Sequence, residues 1–368
     1  MTKQRKKIIC AVTNDLNNDQ RMQRICASLV EFEFDVCLVG RQLPHSKPLS
    51  KQPFQQKRLR CWFQKGKLFY VEYNLRLLIY LLTQRVDILN AVDLDTILPC
   101  WIVASIRGKK VTYDAHEYFS EVPEVVNRPI TKKIWENIAA FCIPKMYQCY
   151  TVGPALAQIF ESRYGKPFGV VRNVSSSTLL KKEDRSTQTI LLYQGALNEG
   201  RGLSEIIKAM PLLSSEINLW IAGDGDLADV LRNLVQQLNL ESRVIFLGML
   251  APNDLKQCTT QATVGINLLE NKGLSYYYSL SNKTFDYIQA HLPAINIAFP
   301  EYIKLNEHYE TAVLCGDLTE EAILKAIRKI LEPETYKRLQ QNCVVAAKDL
   351  VWEHEKEHLL KIYADLEA

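Results

Sequence analysis

Gly195-Ala-Leu-Asn-Glu-Gly-Arg-Gly202, Gly223-Asp-Gly-Asp226 and Ser281-Asn-Lys-Thr-Phe-Asp286 are three turns that decide how the second half of this chain folds. The first two follow β-rich runs, Ile190–Gln194 and Ile217–Ala222, and lead into amphipathic helical patterns. The third opens a helical stretch directly. Turns of this kind aim backbone N–H groups from a helix N-terminus, where the dipole favours an anion. Arg201 and Lys283 add two cations and Asp286 an acid, so the constellation points to a diphosphate joined to a ribose.

Working outward from these turns, apolar β-branched runs recur with helical patterns between them. Strands are expected near Ile8–Val12, Val36–Val39, Asp87–Ala91, Lys110–Tyr113, Cys149–Val152 and Gly169–Val171 in the first half. In the second half they are expected near Ile190–Gln194, Ile217–Ala222, Val244–Leu247, Thr263–Leu268, Ala294–Ala298 and Ala312–Cys315. One helical stripe from Asp226 collects Leu227, Val230, Leu231, Leu234, Val235 and Leu238. Alternating strands and helices imply parallel sheets covered on both faces. The 368 residues exceed one ordinary core, and a polar stretch near the midpoint divides them. The expectation is two doubly wound α/β domains, 1–173 and 189–345, joined by a linker at 174–188, with a tail at 346–368. Ligands of such sheets bind beyond the strand carboxyl ends, here in a cleft facing both domains.

Bulk composition narrows the class. With 47% hydrophobic and 23% charged residues the chain reads as a soluble globular protein. Its longest apolar run, Ile97–Ile106, is far short of the ~20 residues a membrane span requires. No leader pattern follows Met1–Lys7, and the ten cysteines form no CxxC pair, which fits a cytoplasmic protein with reduced thiols. The net charge of +4 hides an asymmetry: residues 1–172 carry 26 Lys and Arg against 15 Asp and Glu, and the remainder is acidic. Nine basic residues lie within 41–76 beside Phe54, Trp62, Phe63, Phe69, Tyr70 and Tyr73, against Glu72 alone. Basic residues interleaved with aromatics fit an anionic membrane surface on the inner face of the plasma membrane. A solvated basic face over core aromatics is the plainer reading of the same residues. No nucleic-acid module accompanies the charge.

Residue by residue, Arg201 sits between Gly200 and Gly202, where the backbone can approach a ligand and the guanidinium can fork onto phosphate oxygens. Lys283 and Asp286 share a face of one helical turn, so the lysine can meet phosphate while the carboxylate accepts ribose hydroxyls. A surface arginine and a plain i,i+3 ion pair are the structural alternatives.

With these residues in place, the chain resembles the family-4 retaining glycosyltransferases of the GT-B fold, in the bacterial surface-polysaccharide type, over almost its whole length. The family's glycine loop carries an Arg after its first Gly and a Lys before its last. Here Arg201 occupies the Lys position and Ala196 stands where the Arg is expected. Of the family's two glutamates seven residues apart, Asp286 matches the second in shortened form and Tyr278 stands at the first. Ser281-Asn-Lys-Thr-Phe-Asp286 is similar to the family's Asn-Lys-x-Phe-Glu variant. Tyr113-Asp-Ala-His-Glu-Tyr-Phe119 resembles its Asp-x-His-Glu segment, and Asn14-Asp15 with Asp19-Gln-Arg21 occupies the turn after the first strand. Trp352–Leu366 looks like the family's last helix, which crosses back onto the first domain.

The resemblance implies transfer of a hexose-type sugar from a nucleoside-diphosphate donor to a glycan or lipid-linked acceptor, with retention of configuration and without a metal or other cofactor. His116 and Glu117 would be catalytic. Gly195, Arg201, Gly202, Gly225, Leu250, Ser281, Asn282, Lys283 and Asp286 would hold the donor, and Asn14, Asp15, Asp19 and Arg21 would line the acceptor side. The departures at Ala196 and Tyr278 keep open a second reading, a non-catalytic nucleotide-binding scaffold of a glycan-assembly complex. Gly223-x-Gly-x-x-Ala228 imitates a dinucleotide fingerprint and so admits an NAD-dependent oxidoreductase, though that motif belongs in a domain's first βα turn. His354-Glu-Lys-Glu-His358 matches HExxH, but only ten residues follow and none is His or Cys, so no zinc site is expected.

Overall fold

In a computed structural model, described over residues 5–177 and 188–367, the chain forms two compact units. One is Met1–Asn173 with His354–Ala368 and the other is Val174–Glu353. Of the expected linker at 174–188, residues 178–187 lie outside the described residues.

The first unit is built on seven parallel strands: β1 Lys7–Ala11, β2 Asp35–Gln42, β3 Gln55–Arg60, β4 Ile88–Val92, β5 Lys110–Ala115, β6 Gln148–Thr151 and β7 Phe168–Val170. Their order is β3-β2-β1-β4-β5-β6-β7. The second unit carries six: β8 Thr189–Gln194, β9 Ile217–Ala222, β10 Val244–Gly248, β11 Val264–Asn267, β12 Ala294–Ile297 and β13 Ala312–Cys315, in the order β10-β9-β8-β11-β12-β13. Both orders run outward from the first strand and then reverse. The switch points are therefore β1/β4 and β8/β11, and the crevices at the strand ends there are where such sheets bind ligands.

The central strands are apolar because helices cover both faces: Ile8, Ile9, Leu38 and Leu89, and in the second unit Leu191, Leu192 and Ile221, are fully buried. All twelve expected strands are present, with their ends within three residues of the expected ones. The thirteenth, β3, is an edge strand reading Gln-Gln-Lys-Arg-Leu-Arg, in which Leu59 alone is buried. Charged edge strands resist pairing with other chains, and the same charges hide the strand from an apolar reading.

That strand also divides the basic stretch 41–76. Arg58 pairs with Asp15 at 2.5 Å, Arg41 lies 4.2 Å over the Phe69 ring, and Phe54, Phe69 and Tyr73 are core. The stretch is not one surface: Lys47, Lys51, Lys57 and Arg60 are exposed before Trp62 and Phe63, and the helix Gly66–Thr83 presents a separate outer face. The helical stripe from Asp226 is narrower than its spacing implies: the helix spans Ala228–Gln237 and Val230 is exposed. All ten cysteines are buried free thiols.

The helix Trp352–Glu367 belongs to the first unit from His354 onward. Tyr363, fully buried, places its hydroxyl 3.1 Å from Thr112 Oγ1 and its ring edge-on to Phe34 and Tyr150. Glu355 accepts the Arg172 backbone N–H and side chain at 2.8 and 2.9 Å, and Lys356 meets Glu31 at 2.8 Å. Glu355, the acid inside the HExxH match, thus anchors the helix to its own unit.

Candidate functional site

In the second unit the loops after β8 and β9 interlock. Gly195 N–H donates to Ala222 O at 2.9 Å, Leu197 N–H to Asp224 O at 3.0 Å, and Leu227 N–H to Leu197 O at 2.8 Å. Two glycines permit this approach. Gly223 has φ 150°, and a methyl there would lie 1.9 Å from Gly195 O; Gly202 has φ 63°, and its methyl would lie 2.3 Å from Leu268 O. Both neighbours are backbone and cannot swing aside. Gly223→Ala is therefore expected to destabilise the second unit by about 1–3 kcal/mol from backbone strain, with further loss from the clash. Urea unfolding followed by hydrogen exchange on peptides from β8 and β9 measures this; an unchanged midpoint would show that the loops shift apart freely.

Around these loops the donor-side residues gather. The Arg201 guanidinium lies 4.7 Å over the Tyr276 ring, and its Nε is buried without a hydrogen-bond partner. Lys283, in the helix Asn282–Gln289, is 8% exposed, and its ammonium sits 4.0 Å over the Tyr193 ring. A methyl at Gly195 would stand 3.6 Å from that ammonium, so the lysine reaches the glycine loop. Burial drives the Lys283 pKa well below its usual value, the nearby Arg201 charge lowers it further, and Asp286 opposes both. Buried Lys283 and half-buried Arg201 thus share a corner at the end of β8, where an anion would favour the lysine's charged form.

The Asp286 carboxylate is already engaged within the second unit. It takes the Gln194 amide at 3.0 Å and the Ser175 hydroxyl at 3.3 Å. Gln194 is itself fixed by Thr259, whose hydroxyl donates to it at 2.9 Å. Ser281 precedes the helix and donates its N–H to the Tyr302 hydroxyl at 3.0 Å, and exposed Asn282 begins the helix. Gly225 packs on the Leu197 backbone and the Asn198 side chain, and Leu250 packs half-buried on the cluster that includes Leu192 and Ala222. Tyr193, Gln194 and Tyr276 were not legible as site residues, because nothing distinguishes them from ordinary strand and helix positions.

The first unit assembles a second cluster at the carboxyl ends of β1, β4 and β5. Asp114, fully buried, bonds Arg21 at 2.8 and 3.3 Å and faces His116 Nε2 at 3.0 Å. Asp93 accepts the His116 backbone N–H at 2.9 Å and lies 3.6 Å from the ring's Nδ1. Thr13 donates to Asp95 at 2.6 Å, while the other Asp95 oxygen is buried without a partner. Asp93 has φ 57° and ψ 173°, a region held almost only by glycine, and such strain gathers at functional sites.

The charges follow from burial and pairing. Burial works against ionised Asp114, but Arg21 and His116 hold its pKa down to about 2. Burial also works against charged His116, and the ionised Asp114 with Asp93 keeps it up to about 9. Burial pushes Asp93 up to about 8 and Asp95 to about 6. Asp114, kept ionised by Arg21, is the anion that maintains His116 as a cation.

Three of the four acceptor-side expectations, Asp15, Asp19 and Arg21, are buried. Arg21 is 3% exposed and also donates to Val171 O at 2.8 Å, while Asp19 caps the helix Gln20–Glu31 through the Met22 N–H at 3.0 Å. Asn14 bonds Asp19 at 3.1 Å, and Asp15 is buried against Arg58, Ser46 and the Asn17 N–H. Glu117 follows His116 half-buried. The strained Asp93 and its neighbour Asp95 were missed, although Val92-Asp93-Leu94-Asp95 after an apolar run was the available signal.

Comparison with known proteins bears on the fold. Residues 177–349 match the model described as glycosyl transferases group 1. An uncharacterized glycosyltransferase of Methanocaldococcus jannaschii is 35% identical over 79 residues, which are 21% of this chain and 20% of that protein, so the match spans about a fifth of the curated relative. Similar solved structures include a sucrose-phosphate synthase from Thermosynechococcus elongatus, with TM-score 0.84, 16% identity and 99% of each chain covered. Anabaena HepE in complex with UDP and glucose has TM-score 0.78 at 13% identity, covering 98% of this chain and 99% of that one. WaaG, a glycosyltransferase involved in lipopolysaccharide biosynthesis, has TM-score 0.71 at 14% identity, covering 97% and 99%. At such identities these structures speak for the fold. Residues 177–349 thus match the glycosyl transferases group 1 model, in a chain with the two-sheet GT-B fold.

Proposed function

We propose that this protein transfers a hexose from a uridine-diphosphate donor to a hydroxyl of a glycan or lipid-linked acceptor, with retention at the anomeric carbon. The observation that carries the reading is the pairing of Lys283 and Arg201 at the carboxyl end of β8, beside the glycine loop. A structural neighbour that holds UDP and glucose supports the choice of base and sugar. In this reading the second unit binds the donor, with Gly195, Gly202, Gly225, Leu250, Ser281 and Asn282 framing it. The first unit binds the acceptor, with Asn14 and Asp15 at its loop.

The bond between the sugar and the diphosphate breaks as the acceptor oxygen bonds the same face of the anomeric carbon. The acceptor proton passes to the departing phosphate oxygen, so no protein nucleophile is required. Negative charge grows on the diphosphate, and Lys283, Arg201 and the N-terminal end of the helix Asn282–Gln289 offset it. Asp286, oriented by Gln194, takes ribose hydroxyls. His116, held as a cation by Asp114, acts with Glu117 at the reacting sugar. No metal or cofactor enters this scheme.

The test is a thermal-shift screen of the full chain with uridine, guanosine and adenosine diphosphates and their common sugars, followed by product analysis. UDP and a UDP-hexose should raise the melting temperature, about 2.7 kcal/mol of stabilisation at a hundredfold excess over Kd. Silence across the panel would defeat the proposal. Binding without hydrolysis or transfer would favour the scaffold reading raised by Ala196 and Tyr278.

A further inference from the structure

The helix Gly66–Thr83 is apolar on two opposite faces and lies at the surface of its unit. Phe69, Tyr73, Leu77 and Leu81 face the core and are buried. On the opposite side Leu68 is 58% exposed, Val71 59%, Leu75 53% and Ile79 60%, with Leu82 continuing the row. At about 100° per residue these five fall within one arc of roughly 80°. In the preceding loop, Trp62, 84% exposed with its ring against the Arg76 guanidinium, and Phe63 add two exposed aromatics. Among the described residues, seven of nineteen large exposed apolar side chains therefore fall between Trp62 and Leu82, a concentration that scattered surface residues do not produce.

A second helix, Pro129–Cys142, adds exposed Ile130, Ile134 and Phe141. Trp135 packs edge-on against Tyr70 at 5.4 Å, so the two helices belong to one layer over the sheet. The exposed charges fringing this layer share one sign: Lys65, Lys67, Arg85, Arg128, Lys133 and Lys145, against Glu124. Glu72 and Glu136, the acids within the helices, are held by Arg76 at 2.7 Å and Arg163 at 2.9 Å. Among the described residues no helix is long and apolar enough to cross a membrane.

We propose that the outer faces of helices Gly66–Thr83 and Pro129–Cys142 dock on an anionic lipid bilayer, lying in the interface plane. An aliphatic stripe with an exposed tryptophan fits the acyl boundary, and a lysine fringe fits the anionic headgroups beside it. Charge also decides against a second copy of this chain, because a twofold contact would bring the same lysine fringe against itself. The sequence's basic stretch 41–76 contributes less than its composition implies, since Arg41 and Arg58 are engaged within the unit.

The full chain is sedimented with neutral phosphatidylcholine vesicles and with vesicles containing about one-quarter phosphatidylglycerol. Binding should be confined largely to the anionic vesicles and weaken in about 0.5 M salt. Lys65→Gln/Lys67→Gln should lower the partition coefficient about tenfold or more, from about fivefold per lysine. Leu75→Gln/Ile79→Gln should lower it at least as far, even at low salt. All four residues are exposed, so each variant should keep the wild-type melting temperature and its response to UDP. Wild-type protein left in the supernatant, or vesicle binding unmoved by both double variants, overturns the proposal. So does a concentration-dependent dimer that Leu75→Gln/Ile79→Gln abolishes in protein that ignores vesicles.

Discussion

Replacing Lys283 by methionine should remove the melting-temperature rise that UDP produces and lower kcat/KM about a hundredfold or more, while leaving the free protein no less stable. The two halves of this expectation have one cause. Methionine keeps the length and apolar stem, so packing on Tyr193 survives and the charge alone is lost. In the free protein that charge is buried, beside Arg201, and its pKa is driven well down. Removing it relieves a desolvation and repulsion term that offsets the lost contact with the Tyr193 ring. In the complex the same ammonium would face a diphosphate whose charge grows as the sugar leaves, and single donors in such positions supply about 10²–10³ in kcat.

The sign of proton uptake gives an independent measure. A lysine whose folded pKa is depressed is short of protons above that pKa, and a bound anion raises the pKa again. UDP binding should thus take up protons, as calorimetry in buffers of different ionisation enthalpy reports. Lys283→Met should abolish that uptake. A methionine variant that unfolds several degrees early would instead make the ammonium a structural group and remove the central support of the donor site.

What was legible beforehand follows from what each residue does. Parallel strands buried on both faces must be apolar throughout, so Ile190–Gln194 or Ile217–Ala222 announces itself. β3 does not, because an edge strand with one buried side chain has no apolar signature. Its charges joined those of the next segment into an apparent basic patch, whereas the structure gives Arg58 to Asp15 and Arg41 to Phe69. The helix Gly66–Thr83 shows no clear period because both its core face and its outer face are apolar. Arg201 and Lys283 could be selected from their turns, but their shared corner depends on the β8/β11 crossover, which only the topology supplies. Asp93 is hidden for another reason: its backbone conformation is imposed by the surrounding β4 and β5 ends, and no local sequence preference favours it.

Breaking the Arg21–Asp114 pair should give the largest loss of stability among single substitutions of charged residues in the first unit. Both side chains are essentially excluded from water, at 3% and 0% exposure, and they share two hydrogen bonds. Removing one partner of such a pair leaves an uncompensated buried charge, which costs about 3–5 kcal/mol. Arg21→Met strands Asp114 with His116 alone and frees Val171 O, so hydrogen exchange in β1, β4 and β5 should accelerate about a hundredfold or more. The pH dependence separates this from simple loss of volume. His116, raised from 6.5 to about 9, contributes its full stability below pH 6.5 and loses it as pH rises through 9. Asp93, raised to about 8, has the same sign, because the folded state again holds the extra proton. Asp114, lowered to about 2, acts oppositely, its contribution being present above pH 3.8 and lost on acidification toward 2. The wild-type unit should therefore lose stability between pH 6 and 9, by about 3 kcal/mol for a shift the size of that on His116. Asp114→Asn removes the anion that keeps His116 charged, so its alkaline loss should shrink and move to lower pH. An Asp114→Asn variant that keeps the wild-type alkaline profile would show that His116 draws its charge from elsewhere, and would break the link between the buried pair and the histidine assigned to the reacting sugar.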